Sequence, residues 1–304
     1  MGYHSNSLYS LTAIPEEVEI GTGPPHPLAD WFDHHRENRE KARVQRNLET
    51  ERPSRAVLTM ARNESFILPI WLRYYSQFFE PQDIYVLDHG STDGSTEGEG
   101  FVRIPIEREK FDHVWQRDVV GAKQKELFES YDTVLYCDAD ELVVPHPSLG
   151  DLGDYIDRLD EPFVNCLGYD VIHMADREPP LDPTRPITEQ RGYWFWDAFY
   201  NKAALAREPI EWVPGFHRRE DFEFRPDPDL LMIHLHRVDY EQCLQRHQVR
   251  SSTEWSDGDA EESWGSHNHI TDEEEFKTWF YTDVGMPGFN FYIEEIPAEW
   301  KGAF

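Results

Sequence analysis

The chain has 304 residues, with 59 Asp and Glu against 29 Lys and Arg, and its formal charge of −30 at pH 7 sets aside nucleic acid and anionic lipid as partners. A chain of this length buries roughly three quarters of its unfolded surface and needs no disulfide staple. Its three cysteines contain no C-x-x-C pair, which excludes a zinc ribbon and suits a reducing compartment.

Residues 1–54 are polar and read as an N-terminal extension, irregular around Gly21-Thr22-Gly23-Pro24-Pro25 and helical over 29–51. His34 and His35 are adjacent, so on a helix they point apart and are expected in solvent rather than on a metal. The regular fold is expected to begin at Arg55 and to run to about residue 250 as one domain. Ala56-Val57-Leu58-Thr59-Met60 reads as a buried strand, followed by a helical spacing through Ile67, Leu68, Trp71, Leu72, Tyr75 and Phe78, with Pro69 tolerated in its first turn. Ile84-Tyr85-Val86-Leu87 is a second strand and Val102 to Ile106 a short third. A helix is expected over 121–129, then the strand Thr133-Val134-Leu135-Tyr136-Cys137. This order predicts an α/β fold with a mostly parallel central sheet flanked by helices.

Beyond it the pattern loosens. Strands are expected over 163–169 and 201–205, a Pro-rich loop over 179–186, and a late strand over 230–236 carrying His234 and His236 on one side. Residues 251–304 form an acidic, aromatic tail that packs on the domain or extends it, with Thr271 as a helix cap three residues before Glu274. No apolar run approaches the ~18 residues of a membrane span, and the start does not read as a signal peptide. A cytoplasmic location is expected, with peripheral work at the inner face of a membrane left open.

Open α/β sheets bind ligands outside the carboxyl ends of their strands. Three such ends carry polar clusters: Ala61-Arg62-Asn63-Glu64, Asp88-His89-Gly90-Ser91 and Asp138-Ala139-Asp140-Glu141. Two carboxylates at a strand tip can hold a hard divalent cation against phosphate, whereas a lone Asp-x-Asp is also an ordinary acidic turn. The convergence of three clusters on one rim favours a site.

These segments, together with the Asn63 to Leu72 stretch, resemble the family 2 type glycosyltransferases of the GT-A fold, closely over 55–145 and more loosely to about 250. The resemblance implies transfer of a sugar from a UDP- or GDP-linked donor, with Mn²⁺ or Mg²⁺, to a saccharide, lipid-linked or protein acceptor. It implies that Arg62, Asn63 and Glu64 wrap the nucleoside, that Asp88 contacts base or ribose, and that Gln124 faces the nucleotide. Asp138 would touch the ribose or a metal-bound water, and Asp140 the metal. His234 matches the late histidine of one branch, although Leu235 and Asp239 depart from its pattern. With His236 it completes the expected metal set of Asp138, Asp140, His234 and His236, whose imidazoles lean the choice toward Mn²⁺. A core histidine is the alternative for both.

An inverting transferase needs a base near the acceptor hydroxyl. After Trp212-Val213-Pro214-Gly215-Phe216-His217, Asp221 is the first candidate and Glu220 the second, with Asp197 a third; His217 is read as orienting substrate or phosphate. The alternative for Glu220 and Asp221 is a solvated run paired with Arg218 and Arg219. The cluster Tyr193, Trp194, Phe195, Trp196, Phe199 and Tyr200 serves either as an acceptor platform or as core. Two other functions stay open: a nucleotidyltransferase, disfavoured by the glycine-free loop at 61–64, and an inactive scaffold of the same fold.

Overall fold

The computed structural model of the chain describes residues 21, 53–107, 110–251, 270, 272–282 and 292–304. The expected helix over 29–51, His34 and His35, and the Thr271 cap lie outside these residues, as does most of the two flanking segments.

The chain folds as an α/β domain around a ten-stranded mixed sheet. Its first four strands run parallel: β1 (Arg55–Ala61) lies between β2 (Ile84–Asp88) and β4 (Thr133–Tyr136), and β3 (Val102–Pro105) pairs with β2 at the edge. Helix α1 (Ile67–Tyr75) connects β1 to β2, and α2 (His113–Leu127) connects β3 to β4. Beyond β4 the sheet continues through antiparallel β8 (Ala203–Ala206), β6 (Phe163–Val171), β7 (Tyr193–Trp196) and β10 (Glu294–Glu295). β5 (Glu141–Pro145) turns back from the tip of β4, is followed by the short helix α3 (Leu152–Asp157), and pairs antiparallel with β9 (Pro226–His234), which runs parallel to β6.

Alternation along β1 explains the layers. Val57 points into a core with α1 residues Ile67, Leu68, Ile70, Trp71 and Tyr75, whereas Ala56 and Leu58 face a second core with Val120 and Leu127 of α2. Each fully buried aliphatic side chain contributes about 1.5–3 kcal/mol. Pro69 sits in the first turn of α1, where its missing N–H breaks no helical bond. From α1, Tyr75 Oη accepts the Val143 N–H at 2.9 Å, and Trp71 Nε1 lies 3.3 Å from Cys137 Sγ, so this helix pins the turn between β4 and β5. A third core joins α4 (Tyr240–Ser251) to α5 (Glu273–Thr282) through Cys243, Phe276 and Phe280.

Two expectations change. Helix α2 starts at His113 rather than 121, because the Asp112 carboxylate accepts the Trp115 N–H at 2.8 Å; its sparse buried face (Val120, Gln124, Leu127) hid the first two turns. Strand β9 ends at His234, where the chain turns and the Leu235 N–H bonds the Asp140 carbonyl at 2.8 Å, so His236 lies beyond the strand instead of two places along it. The aromatic run at 193–196 is strand β7, with Trp194 and Phe195 buried. Among the described residues no helix is long and apolar enough to cross a membrane.

Candidate functional site

The carboxyl ends of β1, β2 and β4 open into a cleft of about 710 Å³. Its wall begins with Arg62, Asn63 and Glu64. Asn63 has φ 56°, a left-handed conformation that asparagine tolerates, and its Oδ1 accepts the Thr92 N–H at 2.8 Å. The Asn63 N–H in turn bonds Ser91 Oγ at 3.1 Å, which ties the loop after β1 to the loop after β2.

Asp138, Ala139 and Asp140 form the reverse turn between β4 and β5, closed by the Glu141 N–H on the Asp138 carbonyl at 3.0 Å. Asp138 Oδ1 accepts the Tyr136 hydroxyl at 2.8 Å and Oδ2 accepts Lys202 Nζ at 2.7 Å; the same ammonium lies 2.6 Å from Glu141 Oε1. Lys202 and Glu141 are both buried. Burial works against the lysine charge, but Asp138 and Glu141 outweigh it and hold its pKa above the usual value. Burial pushes the Glu141 carboxyl up to about 7, with Lys202 pulling against it. The acid after the Asp-Ala-Asp turn is therefore the first residue of a buried strand, not part of an exposed acidic tip.

Asp140 faces the other way. Its Oδ2 accepts Arg246 Nη2 at 2.7 Å, and that guanidinium also reaches Glu64 Oε1 at 3.0 Å; Arg250 Nη2 is 3.4 Å from Glu64. Both arginines project from α4, one helical turn apart. Burial alone would raise the Asp140 pKa, yet Arg246, His234 and Arg250 hold it well below the carboxylate range.

His234 Nε2 lies 3.8 Å from Asp140 Oδ2, while Nδ1 lies 3.3 Å from the fully buried Asp170 Oδ2 on β6. The Asp170–His234 strand register makes this pairing. Burial lowers the imidazole pKa, but Asp170 and Asp140 more than reverse that. The ring stacks on Tyr200 at 3.8 Å between centroids. One donor atom each from Asp140, His234 and His236 falls within 4.8 Å of the others. His236 also belongs to a second buried group with Cys243 and His247, its Nε2 being 3.0 Å from His247 Nε2.

The cleft thus gathers Arg62, Asn63, Glu64, Asp138, Asp140, His234 and His236. Five other expected residues stand outside it. Asp88 is buried, accepting the Ser91 N–H at 2.9 Å and Arg103 Nε at 2.8 Å, and its neighbour His89 lines the cleft instead. Gln124 is fully buried, its Oε1 taking the Ile210 N–H at 2.9 Å to join α2 to the segment after β8. Asp221 is exposed and gripped by Arg219 at 2.6 Å, which lowers its pKa to about 2. Glu220 is exposed, 3.5 Å from Arg117. Asp197 is buried, pushed up to about 6 by burial, and caps a short turn through the Phe199 N–H at 2.9 Å.

Sequence reasoning missed Lys202, Arg246 and Arg250. Lys202 was legible only as one of seven lysines, standing in an apolar segment; the arginines at i and i+4 had the spacing of one helix face.

No protein-family model matches the chain, and no curated protein matches it in sequence. Among solved structures it is similar to a mannosyltransferase from Pyrobaculum calidifontis in complex with GDP-Man and Mn²⁺, with 15% identity, 73% of this chain and 70% of that one covered, and a TM-score of 0.34. It is also similar to glucosyl-3-phosphoglycerate synthase from Mycobacterium tuberculosis. In the complex with Mn²⁺, UDP and glucosyl-3-phosphoglycerate the identity is 14%, the coverage 66% and 69%, and the TM-score 0.29. In the phosphoglyceric acid complex the identity is 16%, the coverage 53% of each chain and the TM-score 0.27. Scores this low carry no argument about chemistry.

Proposed function

We propose that the chain is a divalent-metal-dependent glycosyltransferase that moves a sugar from a UDP- or GDP-linked donor to a saccharide, lipid-linked or protein hydroxyl. The observation that carries this reading is the meeting of Asp140, His234 and His236 donor atoms within 4.8 Å, in a cleft that the 62–64 loop also lines.

The donor set suits the metal. One carboxylate and two imidazoles favour Mn²⁺ over Mg²⁺, which prefers oxygen. Asp170 on the Nδ1 side of His234 has the place of an outer carboxylate that orients a metal-bound histidine. A cation held there would neutralise charge on a departing diphosphate. The chain's own residues supply the rest. Lys202 and Arg250 line the cleft as fixed positive charge, Arg62 to Glu64 wrap the nucleoside, and Asp138 is assigned to the ribose side. Asp88 and Gln124 act from behind the wall, shaping it through Ser91 and Ile210.

The test is calorimetry of UDP and GDP with Mn²⁺ and with EDTA, on wild type and Asp140→Ala. Metal-dependent binding that disappears in the variant supports the reading, and the preferred base narrows the donor. Binding of neither nucleotide under any metal condition would overturn it. A second reading, an inactive scaffold, draws on one observation: Lys202 and Arg246 already pair both acids of the turn. Absence of nucleotide binding would favour it.

A further inference from the structure

The acidic residues named above as candidate bases lie outside the cleft, and the acids within it are held by cations. Glu64 and Asp140 share Arg246, and Asp138 and Glu141 share Lys202. One lining group is arranged differently. His217 Nδ1 lies 2.9 Å from the Phe199 carbonyl oxygen. A carbonyl only accepts, so Nδ1 carries the proton and Nε2 presents a lone pair. Among the described residues Nε2 has no hydrogen-bond partner, and the ring is exposed on the cleft wall.

The backbone that delivers this ring is strained. Gly215 has φ 82° and Phe216 has φ 61°. For a bulky residue that conformation is costly, and it persists only where packing over-determines it. Phe216 is buried, its ring 4.6 Å from Tyr136 and 5.6 Å from Trp212. Tyr136 is the residue whose hydroxyl bonds Asp138, so one aromatic anchor couples the His217 turn to the Asp-Ala-Asp turn. A Cβ at Gly215 would come within 3.0 Å of the His217 ring, so the glycine is needed for room as well as for φ.

We infer that His217 is the general base of the transfer reaction, with Nε2 taking the proton of the acceptor hydroxyl. The inference rests on the glycosyltransferase reading. In a single displacement, the acceptor oxygen forms the new bond to the anomeric carbon. The bond from that carbon to the diphosphate oxygen breaks, and its electron pair leaves on the nucleoside diphosphate. The proton passes to Nε2, giving an imidazolium whose Nδ1–H still donates to Phe199, and is then lost to water. Loss of hydration at the cleft wall, and then the Lys202 ammonium, lower the resting pKa below the usual imidazole value, so the lone pair carries no proton at neutral pH. A diphosphate beside Lys202 works the other way, raising the imidazole toward the range where a proton acceptor is most effective.

Water can stand in for the acceptor, so the assay is release of UDP or GDP from UDP-glucose and GDP-mannose with Mn²⁺, beside calorimetric binding of each nucleotide. His217→Ala removes the base. His217→Asn keeps an amide donor for Phe199 but has no basic nitrogen. Both are expected to bind nucleotide as wild type does and to release it about 100-fold more slowly or worse. Added imidazole should restore the alanine variant and leave wild type unchanged. The inference is overturned if the asparagine variant keeps the wild-type rate, if imidazole restores nothing, or if wild type binds nucleotide and releases it from neither donor. Failure of the functional reading looks different: wild type then shows no metal-dependent binding, and the base assignment falls with it.

Discussion

Arg246 Nη2 lies 2.7 Å from Asp140 Oδ2, so the second acid of the Asp-Ala-Asp turn is charge-paired by a helix more than a hundred residues away in sequence. Both groups are largely buried, and Glu64 shares the same guanidinium. A metal at Asp140 must compete with this arginine or move it toward the diphosphate.

Arg246→Met should expose that competition. Loss of one partner from a buried pair costs about 3–5 kcal/mol, less whatever Arg250 recovers. Mn²⁺ should then raise the melting temperature more in the variant than in wild type, because the cation replaces the missing charge. Equal shifts in calorimetric scans would show that arginine and metal do not compete.

Burial of the Glu141 carboxyl is expected to give stability a pH dependence. Its pKa is raised from 4.5 to about 7, chiefly by burial, so the folded state binds its proton more tightly than the unfolded state does. Its contribution to stability is therefore fully present below about pH 4.5 and is lost as pH rises through about 7. Glu141→Gln should remove this component. Urea midpoints at pH 5 and pH 7 should lie closer together in the variant, once changes shared with wild type are subtracted; an unchanged spacing would contradict the raised value.

Tyr75→Phe removes a hydroxyl under the site that also lies 3.2 Å from Cys137 Sγ and 3.5 Å from the Glu141 carbonyl. The Tyr75 hydroxyl accepts the buried Val143 N–H at 2.9 Å, and phenylalanine leaves that donor without a partner. The expected cost is about 1–3 kcal/mol with the slope of the urea transition unchanged. A loss well below that range would mean that β5 shifts to re-pair the amide.

Asp221→Ala separates the two acidic candidates from the cleft. Asp221 is exposed and held by Arg219 through two bonds, at 2.6 and 3.0 Å. Nucleotide release from UDP-glucose or GDP-mannose is expected to stay at the wild-type rate. A large fall in rate with binding intact would return the base to Asp221 and count against His217.

Metal removal should act through the same few residues. EDTA is expected to lower the melting temperature of wild type loaded with Mn²⁺ and to leave Asp140→Ala unaffected. An equal response in both proteins would place the cation elsewhere.

Much of the frame was legible in the residues themselves. Apolar runs at 56–60, 84–87 and 133–137 became β1, β2 and β4 because a strand buried on both faces needs an unbroken apolar stretch. The polar clusters after β1 and β4 reached one cleft because parallel strands end on the same side. What tertiary structure alone decided was the pairing of charges and the direction of side chains. Gln124 looked suited to a ligand, but its face of α2 turns inward to the Ile210 amide. Nothing local marks Lys202, and its place just before β8 brings it against Asp138 and Glu141. Local pattern records how much of a segment is buried, because burial depends on the residue's own chemistry. Which cation meets which acid depends on contacts between residues such as 140 and 246, and no local spacing encodes those.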